Sequence, residues 1–147
     1  MVVNKETIAQ LAKDNRRLDN RSLTTFRQPI KIETDLSWTA EGSARVQIGE
    51  TVVMAGVKLS IEKPYNDTPD EGGITVNAEL TAMSSSEYEP GPPGMKSIEL
   101  ARVTDRGIRE AKAIDMKQLC IEPGEKAWFI TVDIITINDA GNLFDAS

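Results

Sequence analysis

Histidine is absent from the 147 residues, and Cys120 is the single cysteine. The lack of histidine excludes Ser-His-Asp and Cys-His catalysis and every histidine-ligated metal site. One cysteine excludes a disulfide within the chain, and its apolar neighbours Leu119 and Ile121 predict a buried small side chain rather than a reactive thiol. Any catalysis by this chain would therefore depend on carboxylates, lysines or arginines.

Long hydrophobic runs are also missing. The most apolar stretch, residues 127–137, is interrupted by Asp133 and is far shorter than the roughly 20 residues that span a bilayer. The N-terminal residues show no apolar segment followed by a small-residue cleavage site. We therefore expect a cytoplasmic protein that makes no membrane contact.

Positive charge is scarce, since 17 Lys and Arg residues face 23 Asp and Glu residues for a net charge of −6. This balance excludes the strongly basic surface expected of a free-standing nucleic-acid-binding domain. The basic residues nevertheless gather in two clusters, at 13–27 and 102–112. A local basic patch on an acidic protein predicts a shielded, directional site.

The hydrophobic pattern predicts an α+β fold with a mostly antiparallel sheet. A short helix is expected over 5–15, followed by a polar arm that turns at Asp19-Asn20. Alternating or β-branched residues predict strands at 29–36, 43–48, 51–61, 74–82 and 127–137. Gly49-Glu50 should close a hairpin, and Gly56 predicts a bulge or a close backbone approach. The last residues, LFDAS, have the composition of a helix start with no helix behind it, so we expect either a ragged C-terminal tail or a fragment of a longer chain.

Two loops complete the pattern. Residues 84–96, SSSEYEPGPPGMK, predict an ordered surface loop because prolines stiffen it. Its acidic and aromatic side chains favour a contact surface over an acid–base pair (Glu87, Tyr88 and Glu89). The acidic residues of the 62–73 loop match no calcium-binding spacing (Asp67, Asp70 and Glu71). Neither a metal nor a cofactor is expected.

The segment SIELARVTDRGIRE, residues 97–110, predicts a helix capped by Ser97 and running to about Ala113. At about 100° per residue, Arg102, Arg106 and Arg109 fall within an arc of roughly 60°. We define these three residues as the arginine stripe. The opposite, largely apolar side should pack on the sheet, with Gly107 allowing a close approach; it comprises Leu100, Ala101, Val103, Gly107, Ile108, Ala111 and Ile114.

The arginine stripe has two interpretations from its spacing alone. It could be an ordinary solvated face that pairs with Glu99, Asp105 and Glu110. Alternatively it could bind phosphate, because Arg102 and Arg106 form a like-charge pair that repels unless an anion lies between them. The planar guanidinium also fits phosphate in two-point contacts.

Five segments carry a family resemblance: RLDNR (17–21), EGSARVQIGETVVMAGVK (41–58), PYNDTPDEGGITVNAEL (64–80), EYEPGPPGMKSIELARVTDRGIREAKAID (87–115) and ITINDAGNLFDAS (135–147). In this order they resemble the RNase PH-like family, and within it the non-catalytic RNase PH-type subunits of archaeal exosomes. The resemblance covers essentially the whole chain, and the run from EPGPP to the arginine stripe is specific to that branch.

The resemblance implies a fold of the ribosomal-protein-S5-domain-2-like type. Residues 1–147 would form one incomplete RNase PH-like domain, with an N-terminal helix and arm at about 1–27. Family members are longer, and in catalytic relatives the second half supplies the inorganic-phosphate loop and an acidic residue. This chain is therefore not expected to be an enzyme by itself. Asn20 replaces the usual Gly of the R-x-D-G-R turn, where we expect it to adopt the left-handed conformation.

The resemblance also implies partners. Three heterodimers with a catalytic RNase PH-type subunit would form a hexameric ring that degrades single-stranded RNA from the 3′ end by phosphorolysis, topped by RNA-binding cap subunits. By position, Arg102 and Arg106 are expected to hold the RNA backbone; Arg109 is a further candidate that could instead pair with a carboxylate. Two alternatives stay open: a phosphorolytic exoribonuclease active in its own right, and a scaffold whose arginines make only surface ion pairs.

Overall fold

The computed structural model of the protein describes residues 4–147 and contains a mixed sheet with two of its helices packed on one face. Residues 1–3, the start of the predicted N-terminal arm, lie outside the described residues. The helices are α1 (Lys5–Lys13), α2 (Met95–Glu110), α3 (Leu143–Ala146) and a 3-10 helix (Met116–Leu119). The strands are β1 (Ile30–Thr34), β2 (Gly42–Ile48), β3 (Thr51–Glu62), β4 (Gly73–Leu80), β5 (Cys120–Glu122) and β6 (Lys126–Asn138).

The strands lie in the order β1-β2-β3-β6-β4, with the short β5 beside the start of β6. All pairs are antiparallel except β4–β6, which is parallel because α2 crosses between the two strands. The β2–β3 hairpin closes where Ile48 pairs with Thr51, as predicted from Gly49-Glu50. The predicted α+β class with a mostly antiparallel sheet is confirmed.

The core lies on the sheet face that α2 and α3 cover. Pairing places Val46 beside Val53 and Ala55 beside Ile134, so these side chains share one face of the sheet. Val53 and Ile134 are each only 2% exposed. The buried cluster comprises Ile48, Val53, Ala78, Leu100, Ile134 and Ala146. The arginine-bearing helix is thus built on the centre of the fold.

The predicted bulge or close backbone approach at Gly56 is wrong. A methyl group at this position would meet nothing within 4 Å among the described residues, and the irregularity in β3 lies between Val52 and Val53. Gly56 pairs with Asp133 on the polar face of the sheet, away from the helices. No close approach therefore demands a glycine there.

The chain after α2 contains elements that the sequence pattern did not predict. The 3-10 helix and β5 connect α2 to β6, and Cys120 at the start of β5 is partly exposed rather than buried. The final LFDAS segment forms the short α3, with Ala146 only 1% exposed. Ala146 therefore belongs to the core, and Leu143 packs against it.

The turn of the N-terminal arm forms as predicted. Asn20 adopts a left-handed conformation with φ of 62°. The amide of Arg17 donates to the carbonyl of Arg21 at 2.8 Å, and the guanidinium of Arg21 contacts Asp19 at 2.6 Å. That hydrogen bond lowers the pKa of the Asp19 carboxyl from its usual value. Across residues 4–147, every helix is too short or too polar to cross a membrane.

Candidate functional site

Helix α2 is held on β4 by its two buried residues, Ser97 and Leu100, which are 4% and 3% exposed. Leu100 packs into the core cluster. The hydroxyl of Ser97 donates to the carbonyl of Ala78 in β4. The predicted N-cap role of Ser97 is therefore wrong: the helix begins at Met95, and the serine hydroxyl satisfies a strand carbonyl instead.

The face of α2 that packs on the sheet is rotated from the predicted one. Val103 is 48% exposed and Gly107 is also exposed, with open space where its methyl group would lie. Thr104 lies on the packed side in their place, since its hydroxyl donates to the carbonyl of Leu100 at 2.9 Å and leaves no unsatisfied polar atom. The helix also ends at Glu110, so Ala111 and Ile114 do not extend its packed face. Leu100, Ala101 and Ile108 do lie on the packed side.

Arg102 and Arg106 are exposed on the side of α2 that faces away from Leu100. They are one helical turn apart, which places their side chains next to each other. Within residues 4–147, neither guanidinium lies within 4.0 Å of a carboxylate. This leaves a repulsive like-charge pair without compensation, an arrangement that an external anion would stabilise.

Arg109 is in a different situation from the other two members of the arginine stripe. Its Nε donates to both carboxylate oxygens of Asp105, at 2.9 and 3.1 Å. Its Nη2 donates to the carbonyl of Ile74 in β4 at 2.7 Å. The ion-pair interpretation is therefore correct for this arginine, while Glu99 and Glu110, the other proposed partners, form no ion pair in the described part of the chain.

The arginines of the N-terminal arm mainly stabilise the arm and its contact with the turn after β6. Three of them donate to main-chain carbonyls: Arg17 to Leu23, Arg21 to Thr25 and Arg27 to Ala140. Arginine suits this task because its several N–H groups can satisfy carbonyls in irregular backbone. These three arginines of the first basic cluster thus have a structural explanation that Arg102 and Arg106 lack within the described residues.

The proline loop, residues 84–96, borders a groove of 1030 Å³ beside β4. The groove is lined by acidic residues as well as prolines, among them Glu79 and Glu89. Glu87 pairs with Lys96 at 3.1 Å, with both side chains largely exposed. This pairing gives no geometry suited to proton transfer, and the predicted contact surface stays a prediction.

The acidic residues of the 62–73 loop do not converge. Asp70 lies 3.8 Å from the ammonium of Lys117, a long and exposed ion pair. Among residues 4–147, no group of three or more His, Cys, Asp or Glu side chains could hold a metal ion. The arginine stripe is therefore the strongest candidate site in the described chain.

Comparison with known protein families identifies the fold to which helix α2 belongs. Residues 27–147 match the family model described as 3′ exoribonuclease family, domain 1, of the RNase PH type. The chain belongs to the RNase PH family. The predicted RNase PH domain is thereby confirmed over most of the chain.

Proteins similar to this chain include components of archaeal exosomes. The exosome complex component Rrp42 of Archaeoglobus fulgidus is 49% identical over 145 residues, which are 99% of this chain and 56% of that protein. A chain of the Archaeoglobus fulgidus exosome with RNA bound to the active site has a TM-score of 0.91 at 50% identity, covering 97% of this chain and 56% of that chain. A chain of an archaeal exosome core has a TM-score of 0.82 at 45% identity, covering 96% and 52%. The present chain spans about half the length of these relatives.

Proposed function

We propose that this RNase PH chain is the RNA-binding part of a non-catalytic exosome subunit. In this proposal Arg102 and Arg106 hold the RNA backbone while a catalytic RNase PH-type neighbour removes nucleotides from the 3′ end by phosphorolysis. The observation that carries it is the pair of exposed guanidiniums, one turn apart and without carboxylate partners, on a helix anchored in the core. The similarity to exosome components, one of them in a structure with RNA, supports the choice of ligand.

The chemistry of the pair suits RNA phosphate. Side chains one turn apart on a helix lie about 5–6 Å apart at their Cβ atoms. Two guanidiniums at that spacing can contact one phosphate from both sides or bridge neighbouring phosphates, each with two parallel N–H donors. Such contacts fix the position of the strand without reading its sequence. A complex that degrades any unstructured RNA needs contacts of this kind.

A net-acidic chain can bind RNA if the surface along which the RNA passes is positively charged. The net charge is −6, and acidic residues line the groove beside β4. Phosphate would be repelled from that groove and attracted to the outer face of α2. In the proposed assembly, three heterodimers form a ring in the cytoplasm, RNA-binding cap subunits sit on it, and single-stranded RNA is threaded past α2.

The test is the Arg102→Glu variant in a ring reconstituted with its catalytic partner. We expect intact folding and assembly but slower RNA degradation, because the reversed charge repels the strand. The control is Arg45→Ala, which removes a partly buried arginine on the sheet that already pairs with Glu33 at 2.7 Å. Degradation at the wild-type rate by the Arg102→Glu ring would remove Arg102 from the RNA path.

The alternative, an exoribonuclease active by itself, predicts a different result. Incubating the protein alone with RNA and inorganic phosphate would release nucleoside diphosphates if it held a complete active site. Our proposal predicts no release until the catalytic partner is added. A pure scaffold predicts that the assembled ring binds RNA equally well whether or not Arg102 and Arg106 are present.

A further inference from the structure

Arg109 lies on the arginine stripe, yet its guanidinium is engaged within its own chain by Asp105 and by the carbonyl of Ile74. We infer that Arg109 is a positioning residue: it holds the C-terminal half of α2 on β4 so that Arg106 presents its guanidinium to the RNA backbone. This inference rests on the proposed function, because it assigns a role toward the same RNA site.

The first step of the argument concerns how α2 is attached to β4. Ile74 and Ala78 are four residues apart in the strand, so their carbonyls point to the same side. Both carbonyls accept hydrogen bonds from α2: Ala78 from Ser97 near the start of the helix, and Ile74 from Arg109 near its end. The helix is thus fixed to the strand by one polar contact at each end.

The second step concerns what else holds the helix. The two buried side chains of α2, Ser97 and Leu100, both lie in its first half. In the second half, Ile108 is only partly buried and Arg106 is exposed. Because little apolar surface is buried in this half, the hydrogen bond from Arg109 to Ile74 contributes more to the orientation of the last turns of the helix. Arg106 lies three residues before Arg109 and moves with it.

The third step concerns Asp105. Its two carboxylate oxygens share the Nε–H of Arg109, which holds the guanidinium beside Asp105 while Nη2 donates to Ile74. The same contact compensates the charge of Arg109, whereas Arg102 and Arg106 have no such partner within residues 4–147. The stripe therefore divides into two arginines that face outward and one that holds the helix.

The test measures binding of a fluorescently labelled oligoadenylate to the reconstituted ring at increasing KCl concentrations. A direct phosphate contact contributes about 0.7 to the slope of log K against log salt for single strands. We expect Arg102→Ala and Arg106→Ala each to lower the slope by about that amount. Arg109→Ala should weaken binding by about threefold to tenfold, as for residues that act through another, and leave the slope unchanged.

A double-mutant cycle locates the effect. Arg109→Ala should be strongly non-additive with Arg106→Ala, because removing Arg106 removes what Arg109 positions. It should be close to additive with Arg102→Ala, because Arg102 lies in the half of the helix that Ser97 and Leu100 already anchor. Arg109→Lys keeps the charge but has no fork to reach both acceptors, so positioning predicts that it weakens binding about as much as Arg109→Ala.

The outcomes separate this inference from the proposed function. A slope lowered by Arg109→Ala would show that Arg109 contacts phosphate and would overturn the inference. Unchanged binding in both Arg109 variants, with losses in Arg102→Ala and Arg106→Ala, would overturn it and leave the proposed function standing. No change in any variant would reject the proposed function itself. Circular dichroism and the mass of each ring confirm that the variants compared are folded and assembled.

Discussion

The phenol of Tyr88 donates a hydrogen bond to the carboxylate of Asp139, which ties the proline loop to the turn after the central strand β6. The amide of Asp139 donates in return to the carbonyl of Ser84 at 3.0 Å. The ammonium of Lys96 lies 5.5 Å from the centre of the Tyr88 ring. The loop that leads into α2 is therefore anchored at both ends, as expected of an ordered loop.

This contact makes a prediction about high pH. Burial, followed by the hydrogen bond to Asp139, raises the pKa of Tyr88 from 10.0 to about 12. The neutral phenol is thus favoured in the folded state, so its contribution is complete below about pH 10 and is lost as pH rises through about 12. The Tyr65→Phe variant leaves Tyr88 as the single tyrosine, since the chain has two.

Phenolate absorbance of Tyr65→Phe should therefore titrate well above the ordinary value for tyrosine. In Tyr88→Phe, the part of the stability loss that occurs between about pH 10 and 12 should disappear. Titration of Tyr88 at its ordinary pKa would mean that the loop is not held against Asp139 in solution.

Leu100 and Val103 test which face of α2 packs on the sheet. Leu100→Ala should lower the free energy of unfolding by about 2–5 kcal/mol, because it leaves a cavity in the core cluster. Val103→Ala is the matched control and should change it by less than about 0.5 kcal/mol, because the side chain is 48% exposed. Chemical denaturation measures both. Equal losses in the two variants would support the face that the helical wheel predicted.

Thr51 holds the turn that precedes α3. Its side chain is fully buried, and its hydroxyl donates to the carbonyl of Gly141 at 2.7 Å and accepts from the amide of Ala140 at 3.1 Å. Thr51→Val should destabilise the protein by about 1–3 kcal/mol, because two main-chain groups lose their partner. Thr75→Val, at an exposed position of β4, should be nearly neutral. A neutral Thr51→Val would indicate that this turn is not held on β3.

Much of the fold follows from local patterns in the sequence. Alternation located the long strands, and Gly49-Glu50 located the hairpin, because side chains of a half-buried sheet repeat every two residues. The helical wheel, by contrast, predicted part of the packed face of α2 wrongly: Thr104 lies on the packed side and Val103 outside it. A wheel treats threonine as polar, but within a helix its hydroxyl can bond to the carbonyl one turn earlier.

The sequence predicted only part of the candidate site, because some of its contacts join residues that are far apart in the chain. The pairing of Asp105 with Arg109 is visible as an i,i+4 spacing. The contacts of Ser97 with Ala78 and of Arg109 with Ile74 are not, because their acceptors are main-chain carbonyls of a strand distant in sequence. Only the packing of α2 on β4 shows that one arginine of the stripe differs from the other two.

The salt dependence of RNA binding tests the central claim most directly. The reconstituted ring is compared with a ring that carries Arg102→Ala and Arg106→Ala together, with Arg45→Ala as control, and affinity for an oligoadenylate is measured across KCl concentrations. Loss of both arginines should lower the slope of log K against log salt by about 0.7 per copy that touches the strand if they share one phosphate, or about 1.4 if they bridge two, while the control slope stays at the wild-type value. An unchanged slope and affinity in the double variant would contradict the assignment of this helix to the RNA path.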